Sequence, residues 1–197
     1  MKKGFDNKLV LFLIPIGVAI NFIGGQIAIL LRLPLYLDAI GTIVVGALCG
    51  GIPGAIVGLV SNVLNSITSP ITLWYGVLNV IFGLSAAWLS SRKFFLTFIK
   101  SMITVPWFAF VGGGIGAVMT WCLYGFDFGS GTSSLIAIPL DNIIHFPFLS
   151  QFIAEFGIDV FDKVLTLIAV YLVLKAMPTN LLAKLPLGHI YIKDVEE

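Results

Sequence analysis

An all-α membrane protein with six transmembrane helices is the fold class the sequence predicts, and three observations predict it. The chain of 197 residues is 58% hydrophobic and only 11% charged, whereas about a quarter of the residues in a soluble domain are charged. Its mean hydropathy is +1.06. Six apolar runs follow one another, and the Lys and Arg residues gather in alternate connections, as they do in a chain threaded through a bilayer. A net charge of +1 gives no reason to expect a nucleic acid partner.

The first run, Leu9 to Leu31, is 23 residues long. That is enough to cross a hydrocarbon core of about 30 Å and too long for the apolar segment of a signal peptide, so 9–31 is expected as a retained span. The runs over 37–50 and 52–68 are short for a span of about 20 helical residues. They meet at Gly50-Gly51-Ile52-Pro53-Gly54, which predicts a tight hairpin that stops short of one interface. Longer runs over 71–90, 97–123 and 152–176 complete the set, with Pro106 either kinking the fifth or marking its start. Cys49 and Cys122 lie inside apolar runs and are expected to be packing residues.

Orientation follows from the basic residues. Lys2, Lys3 and Lys8 precede the first span, Arg92, Lys93 and Lys100 join the fourth and fifth, and Lys175, Lys184 and Lys193 flank or follow the sixth. Six spans place all nine on one side, which the positive-inside rule assigns to the cytoplasm together with both termini. Residues 1–197 then form a single membrane domain. The outer side holds Arg32-Leu-Pro-Leu-Tyr-Leu-Asp38, the short loop Asn65 to Pro70, and a long connection over about 125–151. That last connection is too long for a mere linker, and its Ile, Leu and Phe content argues against disorder. With Gly125, Gly129 and Gly131 at its start and Asp141 and His145 further on, it is expected to form a hinged lid.

Polar groups inside spans are costly and therefore candidates for function. Glu155, Asp159 and Lys163 recur every four residues and share one helix face, with Asp162 beside them; they form either an internally neutralised ladder or a ligand-facing stripe. Asn62 and Asn65 lie one turn apart, as do Tyr75 and Asn79, with Trp74 adjacent, and an Asn within a span usually faces the bundle interior. With Asp38, Asp141 and His145, these groups converge on the outer leaflet. Asp38 is also placed to cap the second helix, and Arg32 to snorkel to head groups. A lone His145 is a poor basis for a metal site, and neither metal nor cofactor is expected. Small residues at Gly17, Asn21, Gly24 and Ala28 on the first span, and at Gly112, Gly113, Gly114, Gly116 and Ala117 on the fifth, suit either close internal helix packing or a docking face for a partner membrane protein. No HExxH, GxSxG or P-loop is present, so an enzyme is not expected.

Several stretches together carry a family likeness: Asn21-Phe-Ile-Gly-Gly-Gln26, Leu33-Pro-Leu-Tyr-Leu-Asp-Ala-Ile-Gly-Thr42, Gly50-Gly-Ile-Pro-Gly-Ala-Ile-Val-Gly58 followed by Asn62, and Asp159-Val-Phe-Asp-Lys163. In order and spacing the chain resembles the substrate-binding S components of energy-coupling factor (ECF) transporters. The resemblance implies a six-helix protein of the bacterial cell membrane that captures a vitamin or similar micronutrient from outside. It implies as partners a transmembrane coupling protein and two cytoplasmic ATPases, which would supply the ATP hydrolysis. The implied pocket lies near the outer surface, with candidate ligand contacts at Arg32, Asp38, Asn62, Asn65, Trp74, Tyr75, Asn79, Asp141, His145, Glu155, Asp159 and Lys163, and the implied docking face is Gly17, Asn21, Gly24 and Ala28. Carboxylates outnumber cations among the candidates, so a pyridoxine-like vitamin or a nucleoside is favoured, with Trp74 or Tyr75 stacking on its ring; pantothenate is a further candidate. A membrane sensor that binds a small molecule is the alternative class.

Overall fold

The computed structural model describes residues 7–129 and 132–192, and among these all regular structure is helical. The expectations placed on Lys2, Lys3, Gly131 and Lys193 lie outside the described residues. The order is α1 (Asn7–Leu30), α2 (Ile40–Cys49), α3 (Gly51–Asn65), a 3-10 turn (Pro70–Leu73) and α4 (Gly76–Ser91). There follow α5 (Phe98–Ile103), α6 (Val105–Ala109), a π turn (Phe110–Ile115), α7 (Gly116–Leu123), α8 (Thr132–Ile144), α9 (Pro147–Ala176) and α10 (Thr179–Leu182). Three runs, Asn7–Leu30, Pro70–Ser91 and Phe98–Leu123, are long and apolar enough to cross a membrane. The exterior is apolar, with Leu30 82% and Ile143 77% exposed. Four charged side chains, Glu155, Asp159, Asp162 and Lys163, lie buried inside.

The innermost element is α2, buried from Gly41 to Cys49. At ten residues it is about 15 Å long, so both its ends fall within the molecule and their free backbone groups need partners. At the first end Asn21 of α1 reaches across, and its Oδ1 accepts the Gly41 N–H at 2.7 Å. Asp38 does not cap this helix: the N-cap position is Ala39, and no side chain bonds there. At the other end Ser90 donates to the Ala47 carbonyl at 2.7 Å and the Leu187 N–H donates to the Leu48 carbonyl at 2.9 Å. The segment after α9 folds back onto this end, burying Leu182 and Leu185. There the Tyr191 hydroxyl lies 2.7 Å from that of Ser90, and burial pushes its pKa up to about 12.

The hairpin expected over 37–68 is present as α2 and α3, turned at Gly50 with φ 105°, a conformation suited to glycine. Packing against α4 is backbone to backbone: a Cβ on Gly46 would stand 2.6 Å from the Gly83 carbonyl oxygen, and one on Gly83 2.4 Å from the Ala55 nitrogen. Pro106 marks a start, in the first turn of α6 after a break at Thr104. The lid expected over 125–151 is not an irregular connection. It contains α8, which turns Ser133 and Ala137, one helical turn apart, into the interior, and α9 begins at Pro147 rather than 152, because proline is pre-set for a first helical turn.

Candidate ligand-binding site

The site is built on one face of α9. Gln151, Glu155, Asp159 and Lys163 succeed one another every four residues, so they line one stripe, and each is at most 5% exposed. Lys163 Nζ donates to Asp159 Oδ1 at 3.0 Å and to Asp162 Oδ2 at 2.6 Å, and lies 4.9 Å from the centre of the Phe82 ring on α4. The second oxygen of Asp162 accepts two backbone N–H groups, those of Tyr36 and Leu37, both at 2.8 Å. Leu37 has φ 52°, a left-handed conformation that costs a branched residue about 1–2 kcal/mol. The charge-assisted bonds from Asp162 hold it there. On its other side the loop rests on Gly24 of α1, where a Cβ would stand 2.2 Å from the Leu37 carbonyl oxygen. The stretch 31–39 is thus clamped between α1 and α9.

Asp159 and Glu155 face the π turn and α7. A Cβ on Gly112 would stand 2.3 Å from Asp159 Oδ2, and one on Gly113 2.7 Å from Phe156 Cα. The glycines at 112 and 113 therefore make room for α9 and its carboxylate, and the wider π turn sits at the same place. Glu155 accepts from Gln151 Nε2 at 2.7 Å and from Ser133 at 3.4 Å, so the first turn of α8 closes on this part of the stripe. The Tyr75 hydroxyl is 2.6 Å from that of Thr120, and both Tyr75 and Thr120 bear electrostatically on this part of the stripe. Tyr36 is 40% exposed as a residue, yet its hydroxyl is held well above the ordinary range, first by burial and then by Glu155, Asp159, Tyr75 and Asp162.

A second polar chain runs between α3 and α4. Asn62 Nδ2 donates to the Thr72 carbonyl at 2.7 Å. That bond fixes the Asn62 amide, so its oxygen is the acceptor for Asn79 Nδ2. Asn79 Oδ1 is then an acceptor that cannot be exchanged for a donor by flipping the amide. The same logic fixes Gln151, whose nitrogen bonds the Glu155 carboxylate. Buried and without a hydrogen-bond partner are Asp159 Oδ2, Asn79 Oδ1, Gln151 Oε1 and Asn65 Oδ1, together with Gln26 Nε2 and Thr166 Oγ1. Such atoms are rare in folded proteins and call for a cause.

The structure brings some of the expected residues together and separates others. Glu155, Asp159, Lys163 and Tyr75 share the interior described above. The charges of Lys163 and Asp162 both bear on the carboxyl of Asp38, and Asn65 lies opposite Asp38 across Gly25. Arg32 and His145 are exposed, each in a left-handed conformation, and Trp74 is 60% exposed; none of the three joins the buried array. Asp141 accepts from Ser150 at 3.2 Å at the junction of α8 and α9.

The docking face expected on α1 is also corrected. Asn21 and Ala28 are 0% and 3% exposed. Gly17 packs on Val45 and Val57, and Gly24 seats Leu37. These small residues serve internal contacts, and α1 presents Leu11, Phe12, Ile23, Ile27 and Leu30 outward instead. An open apolar groove of about 460 Å³, lined by Ile14, Pro15, Val18, Ala19, Phe22, Val60 and Leu64, shares no residue with the polar array and has none of its chemistry. Sequence reasoning missed Gln151, Tyr36 and Thr120, while Gly112, expected as a close-packing residue, is one. Gln151 extends the four-residue repeat by one turn, and that spacing was the available signal. Compared with known proteins, the chain matches no family model, no curated protein and no solved structure.

Proposed function

We propose that this chain is the high-affinity substrate-binding subunit of an ECF-type transporter, importing a vitamin or related micronutrient. On this reading it spans the bacterial cell membrane six times with both termini in the cytoplasm. A transmembrane coupling protein and two cytoplasmic ATPases energise it, and it carries out no catalysis itself. The observation that carries the proposal is the inner face of α9, where acceptors on Asp159 and Gln151 are buried and left open beside a loop clamped at Leu37. Burying carboxylates in an apolar bundle is expensive, and an array that served packing alone would close its own hydrogen bonds. A polar solute entering beneath the 31–39 stretch would complete them, with Tyr75 and Tyr36 as aromatic contacts. A pyridoxine-like vitamin or a nucleoside suits such a lining, whereas pantothenate, an anion, would meet carboxylates.

The test is mass spectrometry of small molecules released when the detergent-purified protein is denatured. The proposal expects one water-soluble compound in near-stoichiometric amount, and co-purification of both ATPases when the chain is isolated from its native membrane. Finding neither the compound nor the ATPases would contradict it.

A further inference from the structure

The geometry points to a ligand that carries a positive charge on a hydrogen-bond-donating nitrogen, received by Asp159 Oδ2, with the amide oxygens of Gln151 and Asn79 as further acceptors. This inference rests on the reading of the α9 face as a ligand site and narrows its chemistry. Two independent observations support it.

The first is the kind of atom left open. Asp159, Asn79 and Gln151 are 1%, 3% and 0% exposed, and each has an oxygen without a partner. The two amides cannot flip, since Asn62 fixes one through Thr72 and the Glu155 carboxylate fixes the other. All three are therefore acceptors. A ligand rich in acceptors would leave them unpaired and bring further unpaired atoms of its own, each a buried group that costs free energy.

The second is charge. Asp38, Glu155, Asp159 and Asp162 stand against the single ammonium of Lys163, and the ion pairs among the described residues are those of Lys163 with Asp159 and Asp162. Arg32 is exposed in the loop and does not reach the array. Asp162 is fully engaged, giving one oxygen to Lys163 and the other to two backbone N–H groups. Asp159 spends one oxygen on Lys163 and keeps the other. Four acidic side chains grouped around one ammonium favour a cation at that second oxygen, which would hold the Asp159 carboxylate ionised once bound. A protonated amine, an amidine-like ring nitrogen or an amino-bearing heterocycle meets both requirements, whereas a hydroxyl meets only the first.

The experiment uses the full chain in detergent, incubated with a defined equimolar mixture of water-soluble vitamins, nucleosides, amino acids and polyamines, then washed, denatured and read by mass spectrometry. Asp159→Asn is run beside it, with monodispersity and the unfolding midpoint as checks on folding. The expected result is that the wild type retains a compound bearing a cationic or amino nitrogen, and that Asp159→Asn retains at least tenfold less. Retention of an anionic or nitrogen-free compound overturns the inference and leaves the transporter reading standing; so does equal retention by a folded Asp159→Asn. Retention no greater than by empty micelles overturns both. Should Asp159→Asn fail to fold, the identity of the compound held by the wild type decides the matter alone.

Discussion

Two buried polar clusters lie in the same apolar bundle and are finished differently. Around Asn21 every polar side-chain atom has a partner. Its Nδ2 donates to Thr42 at 2.8 Å and to Ser61 at 3.0 Å, its Oδ1 accepts from Gly41, and Ser61 passes its own proton to the Val57 carbonyl. Along α9, both oxygens of Asp162 are likewise engaged and Lys163 bonds two carboxylates, yet Asp159, Gln151 and, across the bundle, Asn79 each keep an acceptor open. Both clusters are almost wholly shielded from solvent. The two clusters are alike in burial and differ in how completely their hydrogen bonds are made. A closed network specifies one arrangement of helices, while an open one stores unfavourable energy that a solute can relieve.

The largest effect that sharpens this contrast is expected at Asp162, where the charged cluster is itself structural. Asp162→Ala leaves Lys163 with one partner and frees the Tyr36 and Leu37 N–H groups, so unfolding in detergent should become easier by about 3–5 kcal/mol. Asn21→Leu keeps the γ-branched shape but removes three bonds and strands the Gly41 N–H. A loss of about 2–4 kcal/mol is expected by denaturant titration. Gly112→Ala lies between the two classes. Its methyl group would displace the Asp159 carboxylate, costing about 1–3 kcal/mol of stability and at least tenfold in retained compound, and unchanged retention would show that Oδ2 has no part in binding. Arg32→Ala and His145→Ala sit outside both clusters and should stay within about 0.5 kcal/mol of the parent.

How much of this was legible in the sequence depended on what kind of signal each residue carries. The stripe Glu155, Asp159, Lys163 could be read because a spacing of four fixes a helix face whatever packs against it. The hairpin at Gly50 could be read because few chains keep Gly-Gly-Ile-Pro-Gly in a straight helix. Gly24 could not be assigned, since a missing side chain suits a partner protein and a neighbouring loop equally well; only the position of the Leu37 carbonyl decides. Cap residues posed the same difficulty. Asp38 stands beside α2 in sequence, but the N–H of Gly41 is taken by Asn21, twenty residues earlier, a choice made by the approach of two helices. Gln151 continues the repeat of α9, but the expected start of that helix at 152 excluded it, because Pro147 was counted in the lid and not as a first helical turn. The acceptor bias of the site lay furthest from the sequence, since it depends on which way Asn79 and Gln151 are turned by their neighbours.

The central claim is that the Asp159 face is built for a ligand and the Asn21 cluster for the fold. The most direct test compares the unfolding free energies of Asp159→Asn and Asn21→Leu, in detergent and with no ligand added. Lys163 keeps Asp162 in the first variant, and one of several crowded carboxylates becomes neutral. Asp159→Asn should therefore lie within about 1 kcal/mol of the parent, or above it, while Asn21→Leu falls by about 2–4 kcal/mol. If Asp159→Asn is destabilised as much as Asn21→Leu, the stripe on α9 is an internal ladder that holds the bundle together, and the Asp159 face is not built for a ligand.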